Sequence, residues 1–206
     1  MINQKISLIL MASGFSHRFN SCDNKPVDKL LLQYDGKSLL QHSVDLLSVL
    51  LEQYNEFEAI LVTTEDRLNN ICVPDGVKLV VNDNPGSGQS ESVKLGVRAA
   101  TGDAYLFMTA DQPKLTAWDV RFLLSVAMEN TDKIIYPVVN GEPSTPVCFP
   151  YCFRDELLVL SGDTGGREIR NKYPDLCVGV EVENSGNYFD IDTPDDYNTL
   201  LEGNIG

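Results

Sequence analysis

Apolar residues recur along this chain in two rhythms. Unbroken apolar runs of strand length occur at Ile6–Ala12, Ala59–Thr63, Lys78–Val81, Ala104–Met108, Ile134–Val139, Val147–Phe149 and Cys177–Val182. Between them the spacing changes. In Ser38–Gln53, Leu40, Val44, Leu47 and Leu51 fall on one stripe, with Leu39, Leu46 and Leu50 beside it, the pattern of a helix with one buried face. Ser90–Ala100 repeats it through Val93, Val97 and Ala100, and Thr116–Met128 follows a proline-containing break. Strands that are apolar throughout, alternating with helices, predict a largely parallel sheet covered on both faces. The stretch from about 140 to 190 is less regular and richer in Gly, Pro and Asn. It is expected to form loops or a short antiparallel excursion over one end of the sheet. With no repeat, low-complexity tract or dividing linker, residues 1–206 are expected to form one domain.

This architecture says where to look for chemistry, because ligands of open α/β sheets bind beyond the carboxyl ends of the strands. The first strand exits through Ser13, Gly14, Ser16 and Arg18; the run at Lys78–Val81 leads into "NDNPGSGQS"; Ala104–Met108 leads into "TADQP"; and "YFDIDTPDDY" lies late in the chain.

Composition narrows the ligand. The formal charge is −14, with only 16 Lys and Arg in 206 residues, which argues against nucleic acid, whose phosphates require clustered cations. A small anionic substrate then needs a local convergence of positive groups or a divalent cation. No run approaches the ~18 apolar residues of a membrane span, and the N-terminal apolar run is short and lacks a cleavage site, so neither membrane nor secretion is expected. Five cysteines without a C-x-x-C pair, and two histidines, make no zinc pattern and are expected to be free thiols in a reducing cytoplasm.

Several motifs dissolve on inspection. "DGKS" (35–38) lacks the first glycine of a P-loop, since Leu31 stands there, and reads as a turn and a helix N-cap. "GSGQSE" (86–91) has Glu91 at the third glycine position of the dinucleotide fingerprint. There is no G-x-S-x-G nucleophile elbow. What remains is a polyphosphate grip. Ser13 and Gly14 allow backbone N–H groups to approach an anion. Arg18 can add a bidentate contact, and Lys29 a point charge. Gly86 and Gly88 permit close approach, with Gln89 and Ser90 as hydrogen-bonding groups that could read a base or sugar. Asp111, just past a strand and turned by Pro113, suits Mg²⁺, which is held by one or two carboxylates plus substrate phosphates. Asp190 and Asp192, two apart on an extended segment, share a face, and either could complete the cation site. Asp192 or Thr193 caps the helix that Pro194 begins.

In this order, "LMASGFSHRF", "DKLLLQYDGKSLLQH", "NPGSGQSESVKLGV", "LFMTADQP", "LSGDTGGREI" and "FDIDTPDDY" resemble the MobA-like nucleotidyltransferases, especially the molybdenum cofactor cytidylyltransferases, over about residues 5 to 200. The resemblance implies a three-layer α/β sandwich of the nucleotide-diphospho-sugar transferase (Rossmann-like) fold. It implies transfer of CMP from CTP, or GMP from GTP, to the terminal phosphate of molybdopterin, with release of pyrophosphate. Under it, Ala12, Ser13, Gly14, Ser16 and Arg18 correspond to the triphosphate loop and Lys29 to the family's lysine. Gly86–Ser90 corresponds to a nucleotide-contacting loop, Asp111 to the Mg²⁺ ligand, and Asp190 and Asp192 to the late acidic motif. Gly162, Asp163 and Gly165 correspond to a stretch facing the acceptor, and a client molybdenum hydroxylase is an implied partner.

Three departures stand out. Ser13 replaces an alanine or glycine, and a side chain there would narrow the base site toward a pyrimidine. Ser144-Thr145-Pro146 replaces the usual Gly-His-Pro, and Asn20 replaces a glycine. A sugar- or alditol-phosphate nucleotidyltransferase, or a non-catalytic protein that delivers the molybdenum cofactor, are the competing readings.

Overall fold

The computed structural model describes residues 4–14, 19 and 27–203. Ser16, Arg18, Asn20 and Cys22 lie outside them. The chain runs through β1 (Ile6–Ala12), a hairpin of β2 (Gln33–Tyr34) and β3 (Lys37–Ser38), α1 (Leu39–Gln53), β4 (Phe57–Thr63), the single turn α2 (Glu65–Leu68) and β5 (Val77–Val81). It continues through α3 (Gln89–Ala99), β6 (Ala104–Thr109), α4 (Ala117–Glu129), β7 (Ile134–Val139), β8 (Glu142–Pro143) and β9 (Val147–Pro150). It closes with α5 (Arg154–Leu158), α6 (Gly166–Lys172), β10 (Cys177–Glu181) and α7 (Pro194–Glu202).

The main sheet has the order β10-β7-β9-β6-β1-β4-β5, with β8 paired to β7. β1 is central and parallel to both neighbours, with Ile9 level with Ile60 of β4 and Phe107 of β6. Alternation along the strands builds the two faces. Leu8 and Leu10 of β1 and Leu106 of β6 pack with Leu40 and Leu47 of α1 and Val120 and Leu124 of α4. Ile9 and Phe107 pack on the other side with Val93 and Val97 of α3. The result is the three-layer α/β sandwich. Because the chain goes from β1 outward to β4 and β5 and then returns to β6 on the opposite side, the exit of β1 lies at a topological switch point, where such sheets bind ligands.

The "DGKS" stretch behaves as its residues suggest. Asp35 (φ 50°) and Gly36 (φ 81°) form the two-residue turn of the β2–β3 hairpin, where both positions require positive φ. The Ser38 hydroxyl then accepts from Gln41 N at 3.2 Å and caps α1. Cys72, Cys148, Cys152 and Cys177 are free thiols, and no helix among the described residues is long and apolar enough to cross a membrane.

The segment from 140 to 190 departs from expectation. Its antiparallel strand β9 does not lie over the end of the sheet; it is inserted within it, between β6 and β7. α5 and α6 follow on the α3 face, and Phe149, Phe153, Leu157, Leu160 and Ile169 are buried there. Each such apolar side chain stabilises the fold by about 1.5–3 kcal/mol, so this segment is core. The signal was present in Phe153, Leu157 and Leu160, spaced as one helical face, but the surrounding Gly and Pro obscured it.

Candidate nucleotide and metal site

The site is assembled at the carboxyl ends of the strands. β1 ends at Ala12, whose carbonyl accepts from Thr63 Oγ1 at 3.1 Å and from Arg67 Nη1 at 2.5 Å. The Gly14 carbonyl accepts from Arg67 Nη2 at 2.9 Å. Among the described residues, nothing stands within 4 Å of where a Cβ on Gly14 would be. Ser13 behaves differently. It is 1% exposed, its hydroxyl lies 2.5 Å from Ser92 Oγ, and it accepts from Asn82 Nδ2 at 3.0 Å. That side chain is taken up beneath the loop by the residue after β5 and by α3, so it does not narrow a base pocket, and the pyrimidine argument built on it falls.

Lys29 opens a 3-10 turn, Lys29–Leu31, capped by the Asp28 carboxylate, which accepts from Leu30 N at 3.1 Å. Its ammonium donates to Asp111 Oδ2 at 2.8 Å and to Asp192 Oδ1 at 3.1 Å. Burial by itself pushes the Lys29 ammonium down; the Asp111 and Asp192 carboxylates outweigh it and hold its pKa above the ordinary value. Lys29 is therefore charged at neutral pH and joins residues that are far apart in the chain.

The carboxylates are crowded. Asp111 leaves the end of β6, and its backbone carbonyl accepts from Ile191 N at 3.0 Å, which brings the late acidic segment alongside. The neighbouring Gln112 helps hold that segment, donating to the Tyr188 carbonyl at 3.2 Å and the Thr145 carbonyl at 3.3 Å. Asp190 keeps an exposed edge, yet its carboxyl is raised to about 7, by desolvation and by the Asp111 and Asp192 charges. Thr193, rather than Asp192, caps α7, in a capping box with Asp196. Among the described residues, Asp111 Oδ1 and Gln112 Oε1 are buried without hydrogen-bond partners.

An Asp111 oxygen without a partner among the described residues, beside the carboxylates of Asp190 and Asp192, is a donor set of hard oxygens. That chemistry fits Mg²⁺. Among the described residues no group of three or more His, Cys, Asp or Glu encloses a metal by itself, so a cation here would draw further ligands from substrate or solvent.

On the opposite side, the two glycine-rich loops form a single wall. Gly88 (φ +88°) lies so close to the loop at 162 that a Cβ would stand 2.4 Å from the Gly162 carbonyl oxygen, and one on Gly165 would stand 2.5 Å from Gln89 Oε1. Ser90 N donates to Gly162 O at 3.2 Å and Gln89 N to Asp163 Oδ1 at 3.4 Å. The first amides of α3 are thus engaged within the protein. Ser90, expected to meet the nucleotide, is buried and supports the wall from behind, whereas Gly86 and Gln89 are exposed. An open cavity of about 420 Å³ lies beyond the carboxylates, lined among others by Glu142, Ser144, Tyr188, Asp190, Asp192 and Asp196. It brings Ser144, one of the departures in sequence, beside the acidic motif.

Sequence reasoning missed Arg67 and Asp28. Arg67 is 5% exposed, but "TEDRL" reads as an ordinary charged surface turn, and no local signal distinguishes it.

At this rim of a largely parallel sheet, a lysine meets carboxylates from two distant stretches of the chain. The model of the MobA-like NTP transferase domain matches residues 8–176, and the chain belongs to that family. Among curated proteins it is 25% identical over 205 residues to the molybdenum cofactor cytidylyltransferase of Escherichia coli (strain K12), covering 96% of each chain. It is 33% identical over 120 residues to the purine catabolism protein PucB of Bacillus subtilis (strain 168), a match that spans only 55% of this chain and 56% of that protein. Among solved structures, Rv0371c from Mycobacterium tuberculosis H37Rv superposes with a TM-score of 0.77 at 22% identity, covering 98% of this chain and 100% of that one. The same protein in complex with manganese gives 0.73 at 21%, covering 97% and 98%.

Proposed function

We propose that this protein transfers CMP from CTP to the terminal phosphate of a molybdopterin-type acceptor and releases pyrophosphate, with GTP as the alternative donor. The observation that carries this reading is the meeting of Lys29, Asp111 and Asp192, with Asp28, the neighbour of Lys29, tied through Arg67 to the backbone at the exit of β1. The cytidylyltransferase relative, matched over 96% of this chain, supports the donor and the acceptor class.

In the reaction an acceptor phosphate oxygen attacks the α-phosphorus in line; the new O–P bond forms as the bond to the β-phosphate oxygen breaks, and pyrophosphate departs. The nucleophile is already ionised at neutral pH and needs no general base. The protein's part is positioning and charge. Ser13 and Gly14 offer main-chain amides to the triphosphate, and Arg18 and Lys29 offer positive charge. The wall around Gly86, Gly88 and Gln89 borders the nucleoside. Mg²⁺, held by Asp111 with Asp190 or Asp192, would supply further positive charge to the phosphate oxygens. The manganese complex of Rv0371c is in keeping with a divalent ion in this fold. The reading places the enzyme in the cytoplasm.

The test is pyrophosphate release with Mg²⁺, with CTP or GTP offered against molybdopterin or a sugar phosphate as acceptor. Release with CTP and molybdopterin is expected. Turnover only with a sugar phosphate would reassign the acceptor, and persistence of every nucleotide with all acceptors would identify a carrier instead of an enzyme.

A further inference from the structure

Arg67 carries a charge into the interior and spends it on four bonds. Its Nε and Nη2 grip the two oxygens of Asp28 at 2.6 and 3.0 Å, the forked pairing that a planar guanidinium makes and an ammonium does not. Its remaining bonds go to the Ala12 carbonyl, from Nη1, and the Gly14 carbonyl, from Nη2. The geometry points to Arg67 as a positioning residue: one guanidinium, through Asp28 on one side and two carbonyls on the other, sets the spacing between the β1 loop and Lys29. The inference rests on the nucleotidyl-transfer reading above.

Two physical arguments carry it. In a planar trans peptide the carbonyl and the following N–H point in opposite directions. Drawing the Ala12 carbonyl onto the guanidinium therefore turns the Ser13 N–H away from it, the orientation that a backbone anion nest requires. The second argument concerns Lys29. Asp28 immediately precedes it and caps its turn, so the carboxylate that neutralises Arg67 also fixes the start of the segment presenting the ammonium. The two halves of the phosphate grip come from residues 12–14 and residue 29, and Arg67, on α2, is bonded to both. Arg67 touches no substrate; it acts through the loop and through Asp28.

The test compares the full-length protein with Arg67→Lys, Asp28→Asn and the double variant, each checked for folding by circular dichroism and thermal melting. Asn caps as well as Asp, so Asp28→Asn removes the ion pair while keeping the turn. Steady-state pyrophosphate release is measured against CTP with Mg²⁺ and molybdopterin. Each single variant should remain folded with kcat reduced by roughly 10²-fold, and the double variant should be no worse than Arg67→Lys alone, because the pair acts as one unit. A merely structural role would lower the melting temperature and leave kcat and KM of the folded fraction unchanged, and that result overturns the inference. If Arg67→Lys does not fold, Asp28→Asn decides by the same criterion. A wild-type protein that neither binds nor turns over CTP or GTP would instead overturn the functional reading, and this inference with it.

Discussion

Carboxylates stand at both ends of the central sheet, in opposite circumstances. At the amino end, Glu58 of β4 accepts from Lys5 Nζ at 3.0 Å, Ser7 Oγ at 2.5 Å, Thr101 N at 2.6 Å and Thr101 Oγ1 at 2.7 Å. Desolvation works against its charge, but those donors outweigh it and hold the carboxyl down at about 2. At the carboxyl end, Asp111 and Asp192 meet the Lys29 ammonium with Asp190 close by, Asp111 Oδ1 has no partner among the described residues, and Asp190 is driven up to about 7. The same chemical group is saturated with donors at one rim, while at the other Asp111 keeps an oxygen without a partner among the described residues. The contrast separates a carboxylate that belongs to the fold from carboxylates arranged for something the fold does not contain.

The largest expected effect comes from removing the carboxylate with the unpartnered oxygen. Asp111→Asn should lower Mg²⁺-dependent pyrophosphate release on the order of 10³-fold while the melting temperature holds at the wild-type value. Loss of the fold with little loss of turnover per folded molecule would erase the distinction between the two rims.

Next is Lys29→Met, which leaves Asp111 and Asp192 facing each other. Turnover should fall on the order of 10²-fold. The variant should melt at lower temperature in chelator, and Mg²⁺ should restore it by more than it shifts the wild type. Equal melting with and without the metal would remove the case for a cation at this rim.

Gly88→Ala is expected to act through geometry, since its Cβ would meet the backbone at 162 and its φ is +88°. It should destabilise by about 1–3 kcal/mol and raise KM for the nucleotide. An unchanged KM would detach the glycine wall from the nucleotide.

The smallest effect belongs to the saturated rim. Glu58 has a folded pKa of about 2 against an ordinary 4.5, so its stabilising contribution is complete above pH 4.5 and is lost as pH falls through to about 2. Glu58→Gln should leave turnover at neutral pH untouched, lower the melting temperature modestly, and flatten the loss of stability across that acid range. A variant whose acid unfolding is as steep as the wild type's would show that Glu58 does not anchor this end.

The legibility of the chain follows from the range of the forces involved. β1, β6 and α1 were readable because burial imposes a period on neighbouring residues, and that period is written locally. Asp111 stood out because the exit of a parallel strand is a place that topology makes available; that Lys29 pairs with it was left to the packing of distant segments. β9 was readable as the run Val147–Phe149, but its insertion between β6 and β7 was not, since an antiparallel partner leaves no mark on the residues of either strand beyond their apolarity. Ser13 was misread for a related reason: whether a small hydroxyl faces a ligand or a neighbouring helix depends on Asn82 and Ser92, which are distant in the chain.

By itself the sequence determined the alternation of strands and helices, the loops in which ligand chemistry would lie, and the acidic balance that calls for a cation. Only the tertiary structure decided that Lys29 stands between Asp111 and Asp192, that the glycine loops at 88 and 162 press together, and that Arg67 ties Asp28 to the backbone at the exit of β1. Hydrophobic period is a property of adjacent residues, whereas the pairing of buried charges is settled by which chain segments pack together in space.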